Sequence, residues 1–230
     1  MPAFLTELQE VFYNPQIRYT LTLLCKSFGT TVAIFLLTLL YALPLGMLIC
    51  LLRMSRFSPL AWLMRIYISV MRGTPLMLQL LVIFFGPYFL FGVSLSNSYR
   101  FPAVIIAFSL NYAAYFAEIY RGGLLSIPQG QYEAAQVLGY SWSQTMNKII
   151  LPQVIKHTLP PVTNEVITLT KDTSLAFAIA CAEMFTQAKQ LASAQASMTP
   201  YLVAGLFYYV FNFLVASLME YLERRMNYYR

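Results

Sequence analysis

Charge is what this sequence has least of. Of its 230 residues only 10% are charged, whereas 59% are hydrophobic. A soluble domain usually carries charge on about a quarter of its residues. Covering a soluble surface with so few charges would leave large apolar patches facing water. A mean hydropathy of +0.61 points the same way, to a membrane protein. Cysteine and histidine are scarce too, with three of one and one of the other. Cys25, Cys50 and Cys181 lie in or beside apolar runs, without a Cys-x-x-Cys pair or metal-ligand spacing. A disulfide scaffold and a structural zinc site are therefore not expected, and the thiols read as small hydrophobes. His157 has no acidic or cysteine ligand near it in sequence, which argues against a catalytic or metal role. The formal charge of +6 comes from fifteen scattered basic residues. They form no cluster alternating with aromatics, so nucleic acid is not an expected partner. Gly-x-x-x-x-Gly-Lys-Ser/Thr is absent, and with it any recognisable phosphate cradle. Glu7 and Glu10 precede Arg18, unlike the basic, apolar, then small-residue order of a cleaved signal. The first hydrophobic run is read as retained.

What is present is a series of long uncharged runs. Ser27 to Leu52 is 26 residues without a charge. As a helix it would be roughly 39 Å long, against a hydrocarbon core of about 30 Å. This span is expected to begin around Lys26, whose stem can snorkel, and to tolerate Pro44 and Gly46. Further runs cover Gly73 to Tyr99, Phe101 to Ala117 and Thr199 to Met219. Val162 to Ala182 has membrane length but is interrupted by Glu165, Lys171 and Asp172. If it crosses, Arg53, Arg56, Arg65, Arg72, Arg121, Lys148, Lys156, Arg224, Arg225 and Arg230 share one side, ten of the fifteen basic residues. The opposite side keeps Arg18, Lys26, Arg100 and Lys189. The positive-inside tendency then predicts five spans, with the N-terminus outside and the C-terminus inside. The expectation is an all-α integral membrane protein, a five-helix bundle over 21–225 behind an external segment, 1–20. The runs are continuously apolar, without the alternation of an outer-membrane barrel. Ser109, Ala113 and Ala117 recur at i+4 and form a stripe that permits close helix approach, although Gly-x-x-x-Gly is absent.

Residues 118–161 form the one substantial internal loop, and within them Glu133 to Pro152 is a half-polar island. Ser126 to Gly130 supplies turn signals. Tyr132 to Leu138 reads as helix, with Glu133 in its first turn. Gly139 marks a break or a close contact, and Ser141 can cap a second short helix carrying Trp142, Met146 and Ile149 or Ile150. Pro152 is expected to end or kink that run, and Pro160-Pro161 to separate it from the next span. Periodicity leaves two readings open: an amphipathic loop resting at the interface with Trp142 as anchor, or a docking knob for a soluble partner.

Glu133-Ala134-Ala135, three residues, Gly139, nine residues and Ile149-x-Leu151-Pro152 resemble the coupling loop of permeases from binding-protein-dependent ATP-binding-cassette importers. The chain is similar to their polar amino-acid branch, the histidine, arginine, glutamine and cystine type. Arg72-Gly73-Thr74-Pro75, Ala117 to Gly123, Pro128-x-Gly130-Gln131 and Lys171 to Leu175 carry this, and the likeness spans about Tyr19 to Arg225. Two places depart from the pattern: Gly122-Gly123 after Arg121, and Asn14 to Thr20, which lacks a Gly-Leu entry. The resemblance implies a non-catalytic subunit of a bacterial cytoplasmic (inner) membrane transporter. It implies as partners two ATPase subunits, a second identical or homologous permease, an external solute-binding protein and membrane lipid. ATP and Mg would be held by the ATPase and no cofactor by this chain. Glu133, Ala134, Ala135 and Gly139 would then enter a groove of the ATPase, supported by Ile149, Leu151 and Pro152.

The fourth span is the expected lining of the solute path, because charge in hydrocarbon usually faces protein or water. Asn164, Thr168, Lys171 and Asp172 share a broad helical face, Glu165 lies seven residues before Asp172, and a zwitterion needs both signs of charge. The competing reading makes them an internal ion network that never touches solute. Among rival classes, an ion-coupled secondary carrier lacks a visible duplicated half here. A membrane enzyme would have to use Glu118, Glu133, His157 or Glu165, which show no motif spacing.

Overall fold

The computed structural model describes residues 15–226. Most of the 1–20 segment, including Asn14, and the tail from Asn227 to Arg230 lie outside these residues. The first helix, α1, runs Pro15–Arg53 and contains Pro44. It starts well before the expected Lys26. Thr20, Thr22 and Ser27 return their hydroxyls to carbonyls four residues earlier, at 2.9, 2.9 and 3.0 Å. The added turns have something to pack on: Leu24 is buried with Met184, Ala188, Leu191 and Ala204.

Within the expected second span, Gly73 to Tyr99, the long helix covers Leu76–Phe91 only, and a further helix runs into it from before the span. Helix α2 (Ser58–Gly73) and helix α3 (Leu76–Phe91) meet at a bend of 109°. Pro75 brings no N–H to the junction and Thr74 is extended. Side-chain amides satisfy the carbonyls freed by the break. Gln79 Nε2 donates to Met71 O at 2.9 Å and to Thr74 O at 3.1 Å. Asn111 Nδ2 donates to Met71 O and to Gln79 Oε1, each at 3.0 Å. A short 3-10 turn, Asn97–Tyr99, then leads into α4 (Arg100–Leu125).

Helix α4 is the centre of the bundle. Val104, Phe108, Tyr112 and Phe116 are buried along it, and it contacts α1, α2 and α3. The small-residue stripe is where α1 comes closest. A Cβ built on Gly46 would lie 2.8 Å from Phe116 Cβ and 3.0 Å from Ala113 O. Ser109, Ala113 and Ala117 are all buried. The helix also outruns its uncharged stretch, continuing past Glu118 and Arg121 to Leu125.

Three corrections follow in the island and after it. Helix α5 is Gln129–Val137, so Glu133 lies beyond the first turn. Helix α6 is Trp142–Thr145, continuing through a π turn at Met146–Ile150. Helix α7 then runs Leu151–Asp172 without interruption at Pro160-Pro161. Pro152 falls at its start, directly after the π turn, where Leu151 N–H still donates to Met146 O. The later prolines cost two ladder bonds but do not separate the segments. A 3-10 segment (Thr173–Ile179), α8 (Met184–Gln195) and α9 (Thr199–Arg225) complete the described chain. The stretch expected as Val162 to Ala182 is thus the second half of α7 plus a tight turn. The chain is all-helical, with no strand among the described residues. Among those residues, α1, α4 with its preceding turn, and α9 are long and apolar enough to cross a membrane; the bent α2–α3 pair is a fourth candidate.

Candidate functional site

Two regions combine the residues singled out by sequence. The first is the α5–α6 segment, whose shape is set by its caps. Gly139 has φ +75, and its N–H donates to Gln136 O at 2.9 Å while Tyr140 N–H donates to Ala135 O at 3.0 Å. This paired closure of a helix end through a left-handed glycine is a Schellman motif. Nothing lies within 4 Å of a Cβ built there, so the glycine serves backbone conformation and not internal contact. Ser141 caps α6 as expected: its hydroxyl accepts Gln144 N–H at 3.3 Å, and Gln144 Oε1 accepts Ser141 N–H at 2.8 Å.

The base of the segment is anchored and its tip is bare. Ile127, Ile150 and Val154 are buried together, with Tyr132, Met146 and Ile149 packed against them. Ala135 is buried, Leu151 and Pro152 are half-buried, and Glu133 and Ala134 are exposed. Val137, Leu138 and Trp142 present 87%, 73% and 77% of their surface. Beside them a groove of about 650 Å³ opens between the ends of α1 and α4 and α5, lined in part by Met54, Leu125, Glu133 and Trp142.

The second region is the polar face of α7, which resolves into two stripes. Asn164, Thr168 and Lys171 are exposed, and Thr168 Oγ1 donates to Asn164 O at 2.9 Å. Glu165 and Asp172 are half-buried. Asp172 Oδ2 accepts the Tyr112 hydroxyl at 2.7 Å, which ties the end of α7 to the middle of α4. Among the described residues no ion pair joins Lys171 to either carboxylate. Glu165 lies within electrostatic range of Arg72 and Asp172, and Asp172 within range of Lys171.

Several polar residues stand out only in three dimensions. Glu118 of α4 is in direct contact with Arg53 of α1. It pairs with Arg121 at 3.0 Å and approaches Arg72 of α2 at 3.9 Å. The Arg72 guanidinium also lies 5.2 Å from the centroid of the Tyr115 ring. Glu183 is completely buried, where it caps α8 by accepting Phe185 N–H at 2.7 Å and Thr186 N–H at 2.5 Å. Tyr208 of α9 donates to the same carboxylate at 3.1 Å. Arg72 and Glu118 lie in stretches that the resemblance already marks, but partners 46 positions apart, as these two are, leave no periodic signal. Among the described residues, no group of three His, Cys, Asp or Glu could hold a metal.

Comparison with known proteins agrees with this architecture. The family model described as binding-protein-dependent transport system inner membrane component matches residues 42–228. The L-cystine transport system permease protein TcyB of Bacillus subtilis (strain 168) is 37% identical over 201 residues, 86% of this chain and 84% of that protein. The arginine transport system permease protein ArtQ of the same strain is 36% identical over 214 residues, 93% of this chain and 94% of that one. A crystal structure of an amino acid ABC transporter with histidines superposes with a TM-score of 0.82 at 33% identity, covering 91% of this chain and 96% of the other. With the bent α2–α3 pair, the α4-centred bundle and the capped α5–α6 pair alongside a match over most of its length, the chain belongs to the family of binding-protein-dependent transport system inner membrane components.

Proposed function

We propose that this chain is the translocation subunit of an importer that moves a polar amino acid into the cytoplasm. Hydrolysis of ATP takes place on separate ATPase subunits, and an external binding protein delivers the solute. The observation that carries this reading is the α5–α6 segment: two short helices held by a Schellman closure and a capping box, with Val137, Leu138 and Trp142 bare at the tip. An apolar tip on a capped, anchored base suits transmission of a partner's movement as rigid-body displacement. Glu133, Ala134, Ala135 and Gly139 form the part seated in the ATPase, and Ile149, Leu151 and Pro152 connect it to α7. A second permease subunit completes the pathway. Five crossings, with α7 and its 3-10 extension as the fourth, place this segment and the C-terminus inside, in line with the basic residues at these ends. The relatives named for cystine and arginine transport support the amino-acid class. Asn164, Glu165, Thr168, Lys171 and Asp172, on the polar face of α7, are its solute-path residues.

Reconstitution with the cognate ATPase and binding protein, followed by uptake of labelled cystine, arginine, glutamine and glutamate, tests the assignment. Uptake is expected only with ATP and binding protein both present. Uptake driven by an ion gradient without the ATPase would replace this reading with that of a secondary carrier.

A further inference from the structure

We infer that Arg72, at the end of α2, is the residue that receives the α-carboxylate of the transported solute. Asp172 and Glu165 then face its ammonium group. The inference rests on the amino-acid reading above and assigns the cationic contact to α2, not to Lys171 of α7.

The first argument is charge balance. Three guanidinium groups surround one carboxylate at Glu118, so Glu118 alone leaves two of their positive charges unbalanced. Arg121 holds Glu118 through two contacts, Nε to Oε1 at 3.3 Å and Nη2 to Oε2 at 3.0 Å. Arg53 touches Oε1 directly. Both carboxylate oxygens are therefore engaged before Arg72 is counted. Arg72 reaches only to 3.9 Å, and its side chain is the most exposed of the three, 44% against 19% and 31%. It is the surplus cation.

The second argument is position. Arg72 is the penultimate residue of α2, immediately before the Gly73 to Pro75 break, so its backbone is pinned by the Gln79 and Asn111 amides that hold Met71 O. Its guanidinium lies over the Tyr115 ring. The Tyr115 and Tyr112 ring centroids are 6.3 Å apart, and the Tyr112 hydroxyl is bonded to Asp172. Arg72 and Asp172 are thus linked through two tyrosines, Tyr115 half-buried and Tyr112 buried with the rings tilted by 38°, and their opposite charges are complementary to those of a zwitterion. Glu165 adds negative charge on the Asp172 side, within range of Arg72. A planar guanidinium suits a carboxylate in a bidentate contact, which a lysine ammonium cannot reproduce. Lys171 is poorly placed for the role. It adjoins Asp172, so the two side chains diverge by about 100° around α7.

The test compares each amino acid with its decarboxylated analogue: cystine with cystamine, arginine with agmatine, glutamate with 4-aminobutyrate. The assembled transporter first identifies which of the three amino acids is taken up. Binding of that labelled amino acid and competition by its amine are then measured on the permease–ATPase complex without binding protein. Wild type should prefer the amino acid by about tenfold or more, the range of a charge-assisted contact. Arg72→Gln should bring the preference to within about twofold, because the charge-assisted contact is gone. Arg121→Gln, which removes a cation from the same cluster, should keep the wild-type preference. If Arg72→Gln does not insert, Arg72→Lys decides: loss of the planar fork should reduce the preference several-fold, and an unchanged preference overturns the inference. Wild-type discrimination in Arg72→Gln would overturn it while leaving the importer assignment intact. Failure of the wild-type transporter to take up any amino acid would remove the assignment itself, and this inference with it.

Discussion

Gly139 offers the sharpest test of how the α5–α6 segment works, because its role is conformational and its surroundings are open. Its φ of +75 lies in the left-handed region, and no atom within 4 Å would obstruct a Cβ. An L-residue there costs about 1–2 kcal/mol, less for Asn and more for a β-branched side chain. The expected order of damage is therefore Asn, then Ala, then Val. Two hydrogen bonds are at stake, Gly139 N–H to Gln136 O and Tyr140 N–H to Ala135 O, together with the direction in which Val137 and Leu138 point relative to Trp142. If the strained geometry is required only when the ATPase seats, the whole penalty appears in that affinity. A loss of 1–2 kcal/mol is then about a five- to thirty-fold weaker association. Membrane abundance should stay near wild type, since the segment's base is packed through Ile127, Ile150 and Val154 and not through the tip. The assay is co-purification of the ATPase and solute-stimulated ATP hydrolysis in proteoliposomes, for all three variants and for Gly139→Trp, which adds bulk at the docking surface. Equal activity across Asn, Ala, Val and Trp variants would refute the docking role. A steep loss of inserted protein would show instead that the segment holds the fold.

Gly46→Leu should lower thermal stability and membrane abundance, because its Cβ already meets Phe116 and the Ala113 carbonyl; unchanged melting of the detergent-solubilised protein would contradict that close packing. Ser141→Ala removes one half of the capping box and should cost about 1 kcal/mol locally, read as faster amide exchange over α6 with little change elsewhere. Asp172→Asn should reduce uptake of cationic amino acids more than neutral ones in a competition series with arginine and glutamine; an identical proportional loss would make Asp172 a structural partner of Tyr112 only. In a cysteine-free background, cysteines at Ser58 and Gln144 should resist an impermeant thiol reagent in intact cells while one at Ser197 reacts, and external labelling at Gln144 would sink the five-span topology.

The uncharged runs by themselves determined that the protein is a helical membrane protein and roughly where its apolar helices lie, since water, lipid and backbone hydrogen bonding leave few alternatives. Local chemistry also sufficed for the two caps within the island. A serine three residues before Gln144 reads directly as a cap, and a glycine after a short helix reads as its end, because both effects act within one turn. Where local chemistry and packing pulled apart, packing won. Pro160 and Pro161 looked like a boundary, yet α7 passes through them. The first span was expected to begin just before or around Lys26, yet α1 starts at Pro15, where Thr20 and Ser27 satisfy their own hydroxyls and Leu24 finds a core. The face of α7 was legible as a polar surface, but its division was not. Tyr112 reaching Asp172 across 60 positions, and Asn111 steadying a break 40 positions earlier, are contacts between separate helices. Only the bundle brings them together, because a side chain's partner across an interface is set by crossing geometry and depth and leaves no period in its own segment.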